Sequence, residues 1–116
     1  MTHAGLRKYL LEKKGAIECL PFGPDVLVYK VINKMFALVP LDENSPQINL
    51  KCDPDDAIAL RSMFESVKPG YHMNKEHWNT VVIDGSIPEK IVLEMIDNSY
   101  DLVVSKLKKT DKEKIK

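Results

Sequence analysis

The sequence predicts an α+β fold in which an antiparallel sheet is backed by helices. Three observations carry that reading. Short runs rich in β-branched and aromatic residues follow one another across turns, as hairpin strands do. One of them, Gln47 to Cys52, alternates polar and apolar without a fault, the pattern of a strand with one solvated face. Segments near the start, in the middle and near the end place apolar residues at i, i+3 and i+4, the spacing of a helix stripe. The implied order is α-β-β-β-α-β(β)-α-α.

Each element has its own warrant. Thr2 to Lys14 reads as a helix that buries Leu6, Tyr9 and Leu10, with Gly15 as its stop. Residues 20–25, with two prolines and a glycine, are a loop. Val26 to Val31 and Met35 to Val39 are the strands of a hairpin, with a turn at Asn33-Lys34 because Asn tolerates positive φ. A polar loop, 40–46, leads to the alternating strand at 47–52. Asp53-Pro54-Asp55-Asp56 is a helix start: Asp53 caps free amides, Pro54 loses no hydrogen bond, and the acids suit the positive end of the dipole. Ala57, Leu60, Phe64 and Val67 form its stripe, and Lys68-Pro69-Gly70 ends it. Trp78 to Ile83 is a strand after a turn at 74–76, closed by Asp84-Gly85. Ser86 and Glu89 have capping-box spacing before a helix with Ile87, Ile91 and Met95 on one face. A break or bend at Asn98-Ser99 precedes a last helix with Tyr100, Val103, Val104 and Leu107 on one stripe.

The chain has 116 residues, 44% of them hydrophobic and 29% charged, which suits one domain and excludes a disordered or low-complexity chain. No apolar run approaches the roughly 18–20 residues that cross a bilayer, so no membrane is expected. The opening MTHAGLRKYLLEKKG lacks the apolar core and cleavage site of a signal peptide. With Cys19 and Cys52 far apart, the expectation is a cytoplasmic protein with reduced thiols. Net charge is zero, from 17 bases and 17 acids, but unevenly spread. Residues 106–116 hold six lysines against two acids, leaving residues 1–105 acidic. The reading is a single domain over 1–109 and a flexible lysine-rich tail over 110–116.

The densest polar cluster is His72, Asn74, Lys75, Glu76, His77, Trp78 and Asn79. His72 and His77 are five apart, not the four that lets two helical ligands converge, and no third ligand is near, so no metal is expected. A glycine-rich phosphate cradle is absent, and no cofactor is expected. A histidine acid–base role for His72 or His77 has no accompanying nucleophile. The bland alternative is that Trp78 packs into the core while His77 and Asn79 hold the turn. Lys30, Lys34 and Lys75, with Trp78 and Tyr71, can instead form a basic, aromatic-flanked surface for nucleic acid. Against it stand solvated lysines that merely blunt a sheet edge.

The stretch Gly70 to Val81, with its HWNTV core, resembles the signature of the MmcQ/YjbR family of small bacterial proteins. So does the closing Leu93 to Leu107, with Ser99-Tyr100-Asp101-Leu102-Val103, and the resemblance runs from about residue 2 to 109. It implies a CyaY-like fold whose sheet is likened to a double-wing DNA-binding surface, with Trp78, Tyr100 and Asp101 as structural motif residues. Fold does not fix function. Glu76 stands where many members carry a base, and the basic first helix does not match CyaY-type iron sites.

The expected function is a small non-enzymatic binding protein, monomeric or weakly dimeric. DNA is the leading ligand, held by Lys30, Lys34, His72, Asn74, Lys75, His77 and Asn79. The alternatives are a protein-interaction module without nucleic-acid affinity, and an enzyme using His72 or His77.

Overall fold

The computed structural model describes residues 1–41, 46–70 and 73–115. Helix α1 (His3–Leu11) begins where the Thr2 hydroxyl accepts the Gly5 amide at 3.1 Å, and it buries Leu6 and Leu10. It ends three residues before Lys14, and Gly15 turns the chain with φ +74°. Strand β1 (Ala16–Cys19) follows, an edge strand that the sequence patterns did not announce. Its charge at Glu18 hid it, and that charge is consumed locally. Arg7 grips the carboxylate with two nitrogens, at 2.8 and 3.0 Å, and the Tyr29 hydroxyl donates to it at 2.7 Å.

Strands β2 (Val26–Val31) and β3 (Lys34–Pro40) form the expected hairpin. Val31 pairs with Lys34, so the turn is Ile32-Asn33, one residue earlier than expected. Both turn residues have positive φ, 46° and 63°, which matches the right-handed twist of the strands they join. Strand β4 (Gln47–Lys51) is as expected. Helix α2 (Pro54–Met63) starts with the Asp53 carboxylate accepting the Asp55 amide at 3.1 Å. It stops at Met63. Val67, read as the end of its stripe, opens strand β5 (Val67–Pro69), the other edge of the sheet. Strand β6 (Trp78–Val82) pairs with both β4 and β5.

Helix α3 (Glu89–Ser105) is continuous through Asn98-Ser99, where a break was expected. The Ser86–Glu89 capping box does not form: Pro88 is the cap residue, without a side-chain bond. Ser86 serves the preceding turn instead, donating its hydroxyl to Asp84 at 2.6 Å. That hydroxyl and the Ser86 amide, joined by the Ser66 hydroxyl, hold the Asp84 carboxyl below its usual range. Helix α4 (Lys109–Lys114) occupies the stretch expected as a loose tail, and Ile115 beyond it packs on the core beside Gly15.

The sheet runs β1-β2-β3-β4-β6-β5, every neighbour antiparallel. α1 packs on β1, α3 on β2, β3 and β4, and α2 on β5. The main core lies between helices and sheet: Leu6 and Leu10 from α1, Tyr29, Ala37, Ile48 and Val81 from the sheet, Val92 and Ile96 from α3. One irregularity positions much else. Tyr29 pairs with Ala37 but Lys30 with Met35, so Phe36 is an extra residue on β3, a β-bulge. It joins Ala37 in the helix-side core. The bulge leaves the Phe36 carbonyl outside the ladder, and the Ser99 hydroxyl donates to it at 2.6 Å. The same hydroxyl accepts the Lys51 amide at 2.9 Å. One fully buried serine in mid-helix thus closes a gap in the sheet.

Around Asp97 the first and third helices are locked together. Its carboxylate accepts from the Tyr9 hydroxyl at 2.7 Å and from the Lys13 ammonium. That ammonium lies 5.1 Å from the Tyr9 ring and 5.7 Å from the Tyr100 ring, within cation–π range. Tyr100 meets Phe36 edge-on at 5.3 Å and donates its hydroxyl to the Lys14 carbonyl.

Candidate nucleic-acid interface

Residues directly paired across antiparallel strands point to the same side, so the register assigns every strand residue to a face. Tyr29, Val31, Ala37, Leu50, Asn79 and Val81 share the helix side. The opposite face carries Val28, Leu38 and Trp78, a second apolar cluster edged by Cys19, Val26, Met35 and Met73. Among the described residues no helix packs on it.

Charge divides sharply between the two sides. The charged strand residues are Glu18, Lys30, Lys34, Lys51 and Lys68. Lys30 pairs with Met35 and with Ile17, Lys51 with Trp78, and Lys68 with Thr80, so these three lysines share the uncovered face. Glu18 pairs with Tyr29 and Lys34 with Val31, so both belong to the helix side. No strand places an acid on the uncovered face. Strands are about 4.8 Å apart, so Lys30 and Lys51, two strands from each other, stand roughly 10 Å apart, as do the strands bearing Lys51 and Lys68. Lys68 is exposed and the other two are half-buried, their stems lying along the sheet. Asn49 and Thr80, directly opposite each other, lie between them, with the threonine hydroxyl donating to the asparagine oxygen.

The residues expected to bind fall out differently. Lys30 is on the face, and Lys34 is on the other one. Asn79 points inward, 2% exposed: its oxygen accepts from Arg61 Nε at 2.7 Å and its amide donates to the Ala57 carbonyl at 3.3 Å. It therefore ties α2 to the sheet from the helix side, away from the uncovered face. Trp78 lies on the uncovered face but is packed down, 7% exposed, so its ring offers no platform for a base. Asn74 builds the turn before β6: its side-chain oxygen accepts the Glu76 amide at 2.9 Å and its carbonyl the Trp78 amide at 2.9 Å. Lys75 is exposed in that turn, and its carbonyl accepts from Arg61. His77 is half-buried, and its carbonyl takes the Cys52 amide at 2.7 Å. His72 and Tyr71 lie outside the described residues. Lys51 and Lys68 were missed. Lys51 shares the polar set Gln47, Asn49, Lys51 of the alternating strand, a signal that could have found it, whereas Lys68 was hidden inside a supposed helix end.

On the helix side, between α2, α3 and the sheet, runs a groove of about 620 Å³. Leu50, Leu60, Met95 and Leu102 contribute to its apolar lining, and Asp101 stands at its rim. Cys52 also lines it, half-buried, its thiol pushed up by burial and then by Asp56 and Asp53. His77 does not reach it. Among the described residues no group of histidine, cysteine and carboxylate side chains is arranged to hold a metal. None of the helices is long and apolar enough to cross a membrane.

Comparison with known proteins gives a family match. The model of the YjbR family fits residues 11–102. The uncharacterized protein YbdF of Escherichia coli O157:H7 is 37% identical over 114 residues, 98% of this chain and 93% of that protein. The uncharacterized protein YjbR of Escherichia coli K12 is 36% identical over 107 residues, 92% and 91% of the two chains. The crystal structure of Deinococcus radiodurans protein DR2400, a DUF419 domain, superposes with a TM-score of 0.91 at 35% identity, covering 98% of this chain and 87% of that one.

Proposed function

We propose that this chain, which belongs to the YjbR family, is a non-enzymatic module that binds nucleic acid, DNA foremost, through the uncovered face of its sheet. The supporting observation is the charge placement: Lys30, Lys51 and Lys68 share that face and no strand sets an acid among them. Lys30 and Lys51, on strands roughly 10 Å apart, are near enough to engage one phosphate backbone together. Lys75, exposed in the turn before β6, extends the basic set. The contacts are to phosphate rather than to bases, because Trp78 is packed against the sheet. Such recognition is electrostatic and insensitive to sequence.

Titration of a labelled 20-base-pair duplex at several salt concentrations tests this. Three neutralised phosphates at about 0.9 each give a slope of log affinity on log salt near −2.7. Lys30→Ala, Lys51→Ala and Lys68→Ala each flatten the slope by about 0.9, while Lys34→Ala, on the other side of the sheet, leaves it unchanged. No binding at about 100 μM protein in low salt, or a slope indifferent to the three substitutions, rejects the reading.

A further inference from the structure

We infer that the groove between α2 and α3 is a binding site for a small organic cation, a molecule with an apolar body and an ammonium-type head. The site is on the opposite side of the sheet from the lysine face, so it stands or falls independently of nucleic-acid binding. Its volume, about 620 Å³, lies in the range of roughly 300–1,000 Å³ typical of small-molecule sites. The floor comes from the sheet at Leu50 and Val81, and the walls from Leu60 and Met63 on α2 and Met95 on α3. Two methionines in the walls give a surface that adapts to an apolar guest.

The rim is charged with one sign. Asp53 and Asp56 stand at the start of α2 and Asp101 near the end of α3, all exposed. The one cationic residue of the lining is Lys51, and its pairing with Trp78 directs the ammonium to the other face. Arg61, behind Asn79, is occupied by the Asn79 oxygen and the Lys75 carbonyl. Asp53 and Asp56 have a second role, because acids at a helix start suit its positive end. Asp101 has no such role: it lies toward the negative end of α3, where a carboxylate gains nothing from the dipole. Among the described residues neither the Asp56 nor the Asp101 carboxylate makes a side-chain hydrogen bond or ion pair, so both are available to a guest. An apolar trough between unpaired carboxylates from two helices is complementary to a cation with an apolar body, and unfavourable to an anion of the same shape.

Tryptamine and indole-3-propionate share a ring and differ in the sign of the head, so they are the discriminating probes. Amide shifts of the full chain followed by NMR during titration locate and quantify binding. The expected result is saturable shifts confined to residues 50–63 and 95–102, with tryptamine about tenfold tighter than the propionate at low salt. The double substitution Asp56→Asn with Asp101→Asn reduces that preference to about twofold or less. Ala59→Phe, on an exposed position of the α2 wall, fills the trough and removes both shifts. Equal binding of the two probes, shifts centred elsewhere, or no saturable shift with tryptamine up to about 10 mM overturns the assignment, 1 mM corresponding to only about 4 kcal/mol.

Discussion

Removing the Ser99 hydroxyl is expected to damage the fold far more than an ordinary helix substitution. Ser99 is 0% exposed and its one oxygen serves two backbone groups, donating to Phe36 at 2.6 Å and accepting from Lys51 at 2.9 Å. Ser99→Ala strands a buried carbonyl and a part-buried amide together. Each such group costs about 1–3 kcal/mol when left unsatisfied. The space vacated by a single oxygen is too small for a water that could replace it. Alanine regains roughly 0.5 kcal/mol of helix propensity. The net loss is therefore about 1.5–5.5 kcal/mol, a large part of the roughly 5–15 kcal/mol that holds a domain together. Urea unfolding followed by circular dichroism measures it. With a slope of about 2 kcal/mol per molar urea, the midpoint falls by roughly 1–3 M while the slope stays constant. A loss under about 1 kcal/mol would mean that the bulge finds other partners, and the account of Ser99 as the closure of the sheet would be wrong.

Other consequences are equally open to measurement. Gly70 has no room for a side chain: a Cβ there would lie 2.8 Å from Trp78 Cβ and 2.9 Å from its carbonyl oxygen. Gly70→Ala should cost about 1–3 kcal/mol and disturb the near-ultraviolet signal of Trp78, and an unchanged signal with unchanged stability contradicts this. The Tyr9 hydroxyl, held by Asp97 and then by burial, is pushed up to about 12 from its ordinary 10.0. A raised pKa means the folded state keeps the proton, so this stabilisation is complete below pH 10 and disappears as pH rises through 12. Tyr9→Phe should shrink the loss of stability in that alkaline window, and an identical pH profile refutes it. At Asp97 burial pushes the pKa up, but hydrogen bonds from Lys13 and Tyr9 outweigh it and the net shift is downward. Its stabilisation is present above roughly pH 4 and is lost as pH falls further, so Asp97→Asn should flatten the acid limb of the stability curve.

The parts of the fold that were legible are those in which pattern and neighbours agree. The hairpin at Val26 to Val39, the alternation at Gln47 to Lys51 and the Asp53-Pro54 helix start could be read from the residues alone. What escaped depended on partners distant in sequence. β1 holds a charge that Arg7 neutralises and the Tyr29 hydroxyl hydrogen-bonds. β5 is three residues long and contains a proline, which an edge strand tolerates and a local reading takes for a helix end. Asn98-Ser99 looked like a break because serine competes with the helix backbone, but Ser99 spends its hydroxyl on two strands instead. The candidate interface followed the same rule. Position in sequence groups Lys30 with Lys34, and register separates them. Asn79 belongs to an inventory of polar side chains, yet it binds Arg61 and Ala57 inside the protein.

Formal neutrality conceals a directional molecule. With 17 charges of each sign, the strands set Lys30, Lys51 and Lys68 on one side of the sheet while Asp53, Asp56 and Asp101 rim the trough on the other, and these two patches are complementary. In dilute buffer the two patches attract head to tail, a heterologous contact that extends into strings when its rotation does not close. Concentrated samples at low ionic strength should therefore turn viscous or cloudy and clear on adding salt, and the protein should adhere to a sulfonated resin although it carries no net charge.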